Sequence, residues 1–216
     1  MNEICPLCQG MSTSLLHKGG NASGNRDFIH CDSCDLVFVP RSQLLTPQQQ
    51  KDRYLQHNND VDDPDYRKFL GRLYDELKPH LMSGAKGLDY GSGPGPALVA
   101  MMREDGFEVD QYDIFFHSDE AVLKRTYDFI TCTETAEHFT DPASEFQRLF
   151  DMMREPAWLG IMTGMLADWS QFPDWYYHHD STHVNFLSGK TMSWISENHS
   201  CNVIFPADNV VLFCKG

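Results

Sequence analysis

The stretch LDYGSGPGP, residues 88–96, has the composition of a loop that binds a nucleotide-like ligand. Its three glycines alternate with other residues directly after a short apolar run: Gly91, Gly93 and Gly95. Glycine lets a ligand approach the backbone closely at the point where a strand turns into a helix. The stretch therefore predicts a cofactor site at the end of a strand.

The spacing of this loop distinguishes between two kinds of cofactor. Dinucleotide-binding loops have the spacing G-x-G-x-x-G, whereas here Pro96 stands at the place of the third glycine. Pro94 and Pro96 also lack the backbone N–H groups that bind a pyrophosphate at a helix start. The loop therefore favours a nucleoside-like ligand without a phosphate, and S-adenosylmethionine is such a ligand.

An acidic residue follows at the end of the next predicted strand, residues 107–113. A carboxylate at Asp113 can accept hydrogen bonds from the hydroxyl groups of a ribose. Ile114 and Phe115 come next, and we expect them to border the cofactor; an ordinary core position is the alternative for Phe115. Asp89, just before the glycine loop, completes the cofactor set on this side.

Histidines and aromatic residues are concentrated after two later strands, which are predicted at 127–134 and 158–165. Histidine is the side chain that titrates nearest to neutral pH, so it is the first candidate for a general base. His183 is the preferred base because it lies in an aromatic stretch, and His138 and Tyr177 are the other candidates. An equally open alternative is a structural histidine at 183 that ties a loop to the sheet.

Four of the seven cysteines form two C-x2-C pairs: Cys5, Cys8, Cys31 and Cys34. This is the ligand pattern of a tetrahedral four-thiolate zinc site. Because four thiolates fill the coordination shell, the zinc would be structural, in a unit too poor in apolar residues to fold without support. The alternative, a pair of disulfides, is disfavoured in a reducing cytoplasm.

Strands and helices alternate from residue 64 onwards. Strands are predicted at 85–90, 107–113, 127–134, 158–165, 202–205 and 209–214. Helices are predicted from Asp63-Pro64 and Asp141-Pro142, which combine an N-cap with a first-turn proline, at 96–105, and from Ser188 to about 199. This order predicts an α/β, Rossmann-like doubly wound sheet. Its last two strands are too close in sequence for a parallel crossover, so they should form an antiparallel hairpin.

Three units follow from this reading of the chain. Residues 1–40 are predicted to form a zinc-ribbon-like module that ends in a strand at 35–39. Residues 41–63 are polar and are predicted to be a linker or a substrate-gating segment, with His57 and Asn58 as polar contacts. Residues 64–216 contain the α/β domain.

With these features, residues 64–216 resemble class I S-adenosylmethionine-dependent methyltransferases. LDYGSGPG resembles the first motif of that family, Asp113 resembles its ribose-binding acid, and DFITCTETAEH resembles the strand-four segment that borders the cofactor. The resemblance therefore adds Thr133 and Glu134 to the cofactor set. The cysteine-containing unit and the stretch HVNFLS, residues 183–188, are also similar to sugar C-methyltransferases, which carry an H-x-x-aromatic-x-Ser pattern.

The chain departs from this family between the second and fourth strands. The sheet of the family has seven strands, but no third strand and no adenine-contacting acid can be recognised before residue 127. REPAW stands where the family often has a glycine pair before the fifth strand.

Composition narrows the function further. The formal net charge of −14 disfavours binding to nucleic acid, and only Lys18 and Arg26 are basic in the first 40 residues. An N-terminus without a signal peptide and the lack of a membrane-length apolar run indicate a cytoplasmic protein. We therefore expect methyl transfer to a small polar metabolite, such as a sugar. A nucleic-acid methyltransferase and a non-catalytic cofactor-binding module are the alternatives.

Overall fold

The computed structural model describes residues 3–55 and 60–216 of the chain.

 His57 and Asn58 of the predicted gating segment lie outside these described ranges. Within the described ranges, no helix is long and apolar enough to cross a membrane.

The strands have the following bounds: β1 Thr13–Lys18, β2 Asp27–Cys31, β3 Val37–Phe38, β4 Lys86–Tyr90, β5 Glu108–Tyr112, β6 Tyr127–Thr133, β7 Met153–Met162, β8 Asn185–Phe186, β9 Asn202–Ala207 and β10 Val210–Lys215. The α-helices are α1 Pro47–Tyr54, α2 Pro64–Leu77, α3 Ala97–Glu104, α4 Pro142–Asp151 and α5 Gly189–Asn198.

The large sheet has six strands in the order β5-β4-β6-β7-β10-β9. β4 pairs in parallel with β5 and β6, and β6 pairs in parallel with β7. β10 is antiparallel to both β7 and β9. The predicted Rossmann-like sheet with an antiparallel C-terminal hairpin is confirmed. Its parallel strands all present their carboxyl ends at one edge, where ligands bind in such sheets.

Helices cover both faces of this sheet because each carries an apolar stripe. Leu73 and Leu77 of α2 and Met102 of α3 are fully buried in one apolar cluster with Leu212 of β10. On the other face, α4 and α5 contribute to a second cluster with β6 and β7: Phe146, Leu149, Met192 and Ile195. The predicted caps also form, since the side chains of Asp63, Asp141 and Ser188 each accept a backbone N–H of the helix that follows.

The third strand of the resembled family is replaced by a short 3-10 helix, Val122–Lys124. Too few residues separate β5 from β6 for a helix and a strand, so β5 becomes the edge of the sheet. The Tyr127 hydroxyl fastens the connection, because it donates to Asp110 and to the Val122 carbonyl, each at 2.8 Å. Within residues 3–55 and 60–216 the sheet therefore has six strands, whereas the resembled family has seven.

The N-terminal unit forms a second sheet with the order β1-β2-β3-β8. Two of these strands, β1 and β2, lie in the glycine- and serine-rich spacer and were not predicted from the sequence. The strand predicted at 35–39 is shorter and consists of Val37–Phe38. β8 comes from the α/β domain and pairs with β3, with Val37 opposite Phe186. The N-terminal unit and the α/β domain therefore share one sheet.

A helix lies in the segment that was predicted to be a linker. α1 begins after Thr46, whose hydroxyl and the Gln49 side chain form a capping box. Its low hydrophobicity hid it from a reading based on apolar periodicity, because none of its residues is fully buried. α1 is held instead by polar contacts to the site described next.

Candidate active site

The glycine loop between β4 and α3 is closed by its own hydrogen bonds. Gly91 and Gly93 have positive φ angles of 82° and 64°, a backbone region that glycine adopts without strain. The N–H groups of Gly91 and Ser92 donate to the Tyr112 carbonyl at 2.8 and 3.1 Å, and Gly93 donates to Asp113. These donors are thus not free for a phosphate, which agrees with the prediction of a phosphate-free ligand.

Replacing Gly91 with alanine should damage this loop severely. A Cβ at this position would lie 2.3 Å from the Thr135 side chain, and φ would remain at +82°. Strain and crowding together should destabilise the fold by roughly 2–4 kcal/mol, which thermal unfolding would detect. Gly71→Ala is the control, because its Cβ would make only an ordinary contact of 3.5 Å. An unchanged melting temperature for Gly91→Ala would contradict the loop conformation.

Asp113 connects the glycine loop to the turn after β5. One carboxylate oxygen accepts the Gly93 N–H at 3.0 Å, and the other accepts the N–H groups of Phe115 and Phe116 at 2.8 and 3.1 Å. A carboxylate has about four lone-pair positions, and three are used here, so it retains capacity for about one further donor, such as a ribose hydroxyl. The predicted role of Asp113 thus fits its position.

The other residues predicted for the cofactor take different environments. Asp89 is buried behind the loop, where it accepts the Thr131 hydroxyl at 2.7 Å and burial raises its pKa to about 7. Ile114 is 68% exposed. The Phe115 ring lies 5.7 Å from the Tyr54 ring of α1. Asp89 therefore connects β4 to β6 just before the glycine loop, whereas the Phe115 ring contacts α1.

Two buried hydroxyls beside the loop have no hydrogen-bond partner among the described residues. They belong to Ser92, in the glycine loop, and Thr133, at the carboxyl end of β6. Buried polar groups are nearly always paired, so these two indicate that a polar ligand completes the site. They favour a cofactor at the predicted edge of the sheet.

Tyr66, in the first turn of α2, is a site residue that sequence reading missed. Burial together with the negative charges of Asp89 and Glu134 raises its pKa to about 12. These neighbours place the start of α2 beside the glycine loop and the end of β6. The Asp-Pro cap predicted the helix start but carried no information about what its first turn faces.

A buried polar cluster follows β6. Glu137 is fully buried, and its carboxylate accepts hydrogen bonds from the hydroxyls of Tyr177 and, at 2.9 Å, Thr163. Burial and the Glu137 charge raise the pKa of Tyr177 well above its ordinary value. Tyr177 therefore stays neutral and donates to Glu137, a role that disfavours it as a general base.

His183 and His138 lie against this cluster and are oriented in the same way. The His183 Nδ1 lies 2.8 Å from the Tyr177 carbonyl, and the His138 Nδ1 lies 3.0 Å from the Thr182 carbonyl. Because a carbonyl only accepts, each Nδ1 must carry a proton, and in a neutral imidazole this arrangement leaves the lone pair on Nε2. A carboxylate oxygen of Glu137 and one ring nitrogen each of His138 and His183 all lie within 4.8 Å of one another.

The pKa values of His183 and Glu134 are shifted in opposite directions. Burial lowers the pKa of His183 to about 4, so its imidazole is neutral at pH 7. Burial and the neighbouring Glu137 raise the pKa of Glu134 to about 8, so this carboxyl is mostly protonated at pH 7. Glu134 also has a positive φ of 47° at the end of β6, and such strain is concentrated at functional sites. The cluster thus offers a proton acceptor beside a proton donor.

Helix α1 contacts both the turn after β5 and the histidine cluster after β6. Tyr54 stacks edge-on against His138, with 5.2 Å between ring centroids, and also contacts Phe115 on the cofactor side. Arg53 holds α1 in place through an ion pair of 2.8 Å with Asp180. The segment predicted as a linker or gate therefore contributes a helix to the site.

The four cysteines of the two C-x2-C pairs come together in the N-terminal unit. Their Sγ atoms all lie within 4.8 Å of one another, with 3.5 Å between Cys5 and Cys34 and 3.4 Å between Cys8 and Cys31. Tetrahedral zinc with four thiolates at about 2.3 Å needs sulfur atoms roughly 3.8 Å apart. The Gly10 N–H also points to the Cys8 Sγ at 3.4 Å, as in an outer shell around a metal site. The four thiols fit a zinc ion.

The parallel-rich sheet, the glycine loop with its first three amides already bonded and the acidic residue after β5 define the fold class of S-adenosylmethionine-dependent methyltransferases. A family model described as Methyltransferase domain matches residues 63–204, so the chain belongs to this family and is an enzyme of the methyltransferase type. No curated protein sequence matches the chain.

Solved structures share this fold at low sequence identity. An S-adenosylmethionine-dependent methyltransferase from Archaeoglobus fulgidus is 16% identical, with 69% of this chain and 94% of that chain covered and a TM-score of 0.53. The 1,6-didemethyltoxoflavin-N1-methyltransferase of Burkholderia thailandensis is 13% identical, with coverage of 86% and 98% and a TM-score of 0.56. A methyltransferase from Aquifex aeolicus is 18% identical, with coverage of 79% and 97% and a TM-score of 0.51.

Proposed function

We propose that this enzyme transfers a methyl group from S-adenosylmethionine to a small polar molecule, such as a sugar, and that His183 removes the acceptor proton. The observation that carries the proposal is the orientation of His183. Its Nδ1 is bound to the Tyr177 carbonyl, and the Nε2 of the neutral ring has no hydrogen-bond partner among the described residues. His183 lies beside the buried Glu137. A base held in this way can take a proton while the acceptor attacks the methyl carbon in line.

Three features of the loop region support S-adenosylmethionine as the cofactor. The amides of Gly91, Ser92 and Gly93 are occupied, so these three donors are not available to a phosphate. Asp113 can still accept a hydrogen bond from a ribose, and the buried hydroxyls of Ser92 and Thr133 have no hydrogen-bond partner among the described residues. The similar Burkholderia enzyme was solved with S-adenosylhomocysteine bound. When bound, the cofactor supplies an electrophilic methyl group, and this chain supplies its position.

The charge distribution supports a small acceptor over a nucleic acid. Arg26, one of two basic residues in the N-terminal unit, is only 5% exposed and cannot contact a phosphate backbone. On the acceptor side we expect the Glu134 carboxyl to offer a hydrogen bond and the Tyr54 ring, which contacts His138, to offer an aromatic face. Phosphate binding needs several exposed cations instead.

The N-terminal unit is proposed to hold one structural zinc ion through Cys5, Cys8, Cys31 and Cys34. Four thiolates leave no open coordination position, so the ion takes no part in methyl transfer. Cysteines kept as thiolate ligands also fit a reducing compartment, and we propose that the enzyme is cytoplasmic.

Transfer of labelled methyl groups tests the acceptor class. The enzyme, S-adenosylmethionine with a tritiated methyl group, and a cell extract are incubated, and the products are separated by size and by nuclease treatment. We expect the label in the low-molecular-weight fraction. Label in a nuclease-sensitive fraction would support the nucleic-acid alternative. S-adenosylmethionine binding without label in any fraction would support a non-catalytic binding module.

Replacing Asp113 with alanine should weaken the binding of S-adenosylmethionine about 100-fold. The change removes charged acceptors for ribose and for the Gly93 N–H, and each such bond contributes on the order of 1.5–3 kcal/mol. Calorimetric titration measures the dissociation constant. Asp119→Ala is the matched control, because Asp119 caps a similar turn, at Ala121, on the exposed surface. Equal affinities for the two variants would refute the ribose assignment.

A further inference from the structure

Arg26 lies in the turn between β1 and β2, and its guanidinium is saturated with backbone carbonyls. The side chain is 5% exposed, and its Nε donates to the Ser23 carbonyl at 2.9 Å. Its two terminal nitrogens donate to four carbonyls of one distant loop, those of His178, Asp180, Ser181 and His183, at 2.8, 2.8, 3.1 and 2.8 Å. One side chain thus fixes the backbone of residues 178–183.

Only arginine can satisfy this arrangement. Its planar guanidinium has five N–H donors in a rigid fork, and here every nitrogen is used. Lysine would keep the positive charge but has three donors at a single point, so it could not reach four carbonyls spread along a loop. The position therefore depends on shape as well as charge.

The loop that Arg26 binds, residues 178–183, contains His183, the proposed base. Arg26 contacts the loop at the carbonyls of His178 and His183. His178 directly follows Tyr177, whose carbonyl accepts from the His183 Nδ1, so both partners of that bond adjoin an Arg26 contact. The next residue, Val184, donates its N–H to the Glu137 carbonyl at 2.8 Å. A shift of the loop would therefore move the imidazole relative to Glu137.

We propose that Arg26 is a positioning residue for methyl transfer. It fixes residues 178–183 so that His183 is held as a single Nδ1–H tautomer, with the Nε2 lone pair directed to the acceptor. The catalytic use of this tautomer rests on the proposed function, but the orientation itself can be measured without an acceptor. The cysteine-containing unit is then part of the active site, because β2, which follows Arg26, ends at the zinc-site residue Cys31.

Nitrogen NMR of the histidine rings and hydrogen exchange of the backbone test this proposal on Arg26→Lys. In the wild-type protein we expect the Nδ1–H tautomer of His183 alone. In Arg26→Lys we expect a mixture of both tautomers and amide exchange in 178–184 that is faster by about tenfold or more. The exchange of β6 amides and the affinity for S-adenosylhomocysteine should not change. Arg41→Lys, at an exposed position, is the control and should behave like the wild type.

A single Nδ1–H tautomer with unchanged exchange in Arg26→Lys would overturn the proposal. If this variant does not fold, the wild-type guanidinium itself gives the answer. A clamped Arg26 should show separate, slowly exchanging Nη signals, whereas one averaged signal would overturn the proposal. Loss of the base role of His183 is a separate result, because it would appear in turnover and would leave the tautomer measurement unaffected.

Discussion

Replacing His183 with asparagine should lower the turnover number by about 10²–10⁴-fold, the usual contribution of a general base. Asparagine retains an N–H near the position of Nδ1 and can still donate to the Tyr177 carbonyl, which now accepts from His183 at 2.8 Å. It has no atom at the position of Nε2, so the proton acceptor is lost while the loop anchor is kept. Affinity for S-adenosylmethionine should stay within about twofold, because the cofactor contacts lie at the glycine loop.

The pH dependence of the wild-type enzyme gives an independent check on the same residue. A base must be unprotonated to act, and burial lowers the pKa of His183 to about 4. Activity limited by this group should therefore rise through about pH 4 and be flat from about 5.5 to 8. An imidazole with an ordinary pKa would instead give a half-maximal rate near 6.5. A rate profile with its acidic limb near 6.5 would contradict His183 as the base in this environment.

His179→Asn is the matched control, because this neighbouring histidine is exposed and should tolerate the change. Normal turnover in His183→Asn would exclude the base role. Unfolding or lost cofactor affinity in that variant alone would support the alternative of a structural histidine. His138→Asn should then be measured, since its Nε2 is oriented in the same way.

Removal of the proposed zinc ion should lower the melting temperature by about 10 °C or more. Structural zinc contributes on the order of 10 kcal/mol to the folding of small units, and a loss of several kcal/mol shifts the melting temperature by that amount in a chain of this size. The effect should spread beyond the N-terminal unit, because β3 pairs with β8 and the two units share buried aromatic residues such as Phe28 and Phe186.

Cys31→Ser and treatment with a chelator both test this prediction, by calorimetry and by metal analysis. We expect about one zinc per chain in the wild type and very little in Cys31→Ser. Cys214→Ser, at a half-buried position outside the cluster, should retain the metal and the melting temperature. A metal-free protein with a wild-type melting temperature, or disulfides detected by mass spectrometry, would refute the zinc site.

The cofactor half of the molecule could be predicted from sequence because its signals are local. Alternating strands and helices, the Asp-Pro caps and the short final connection each follow from neighbouring residues, and the Rossmann-like sheet agrees with them. The spacing of Gly91 and Gly93 with two prolines predicted a ligand without phosphate. The structure adds that the amides of Gly91, Ser92 and Gly93 are bound to the Tyr112 carbonyl and to Asp113.

The acceptor half depended on contacts between residues that are distant in sequence. Glu137 would be expected at the surface after a strand, but Thr163 and Tyr177 come from other segments and bury its carboxylate. Helix α1 has no apolar stripe, and polar and aromatic contacts to Asp180 and His138 determine its place. Pattern reading detects burial only where hydrophobic periodicity accompanies it.

By itself, the sequence determined the fold class, the glycine loop with Asp113, and the grouping of the four cysteines. Each depends on spacing along a short stretch, or on thiols whose chemistry has few alternatives. The tertiary structure alone decided that Arg26 binds the backbone carbonyl of His183, and that the Nδ1 of His183 is bound to the protein while Nε2 is not. The donor and acceptor of a hydrogen bond must meet in space, and their sequence separation carries no information about that meeting.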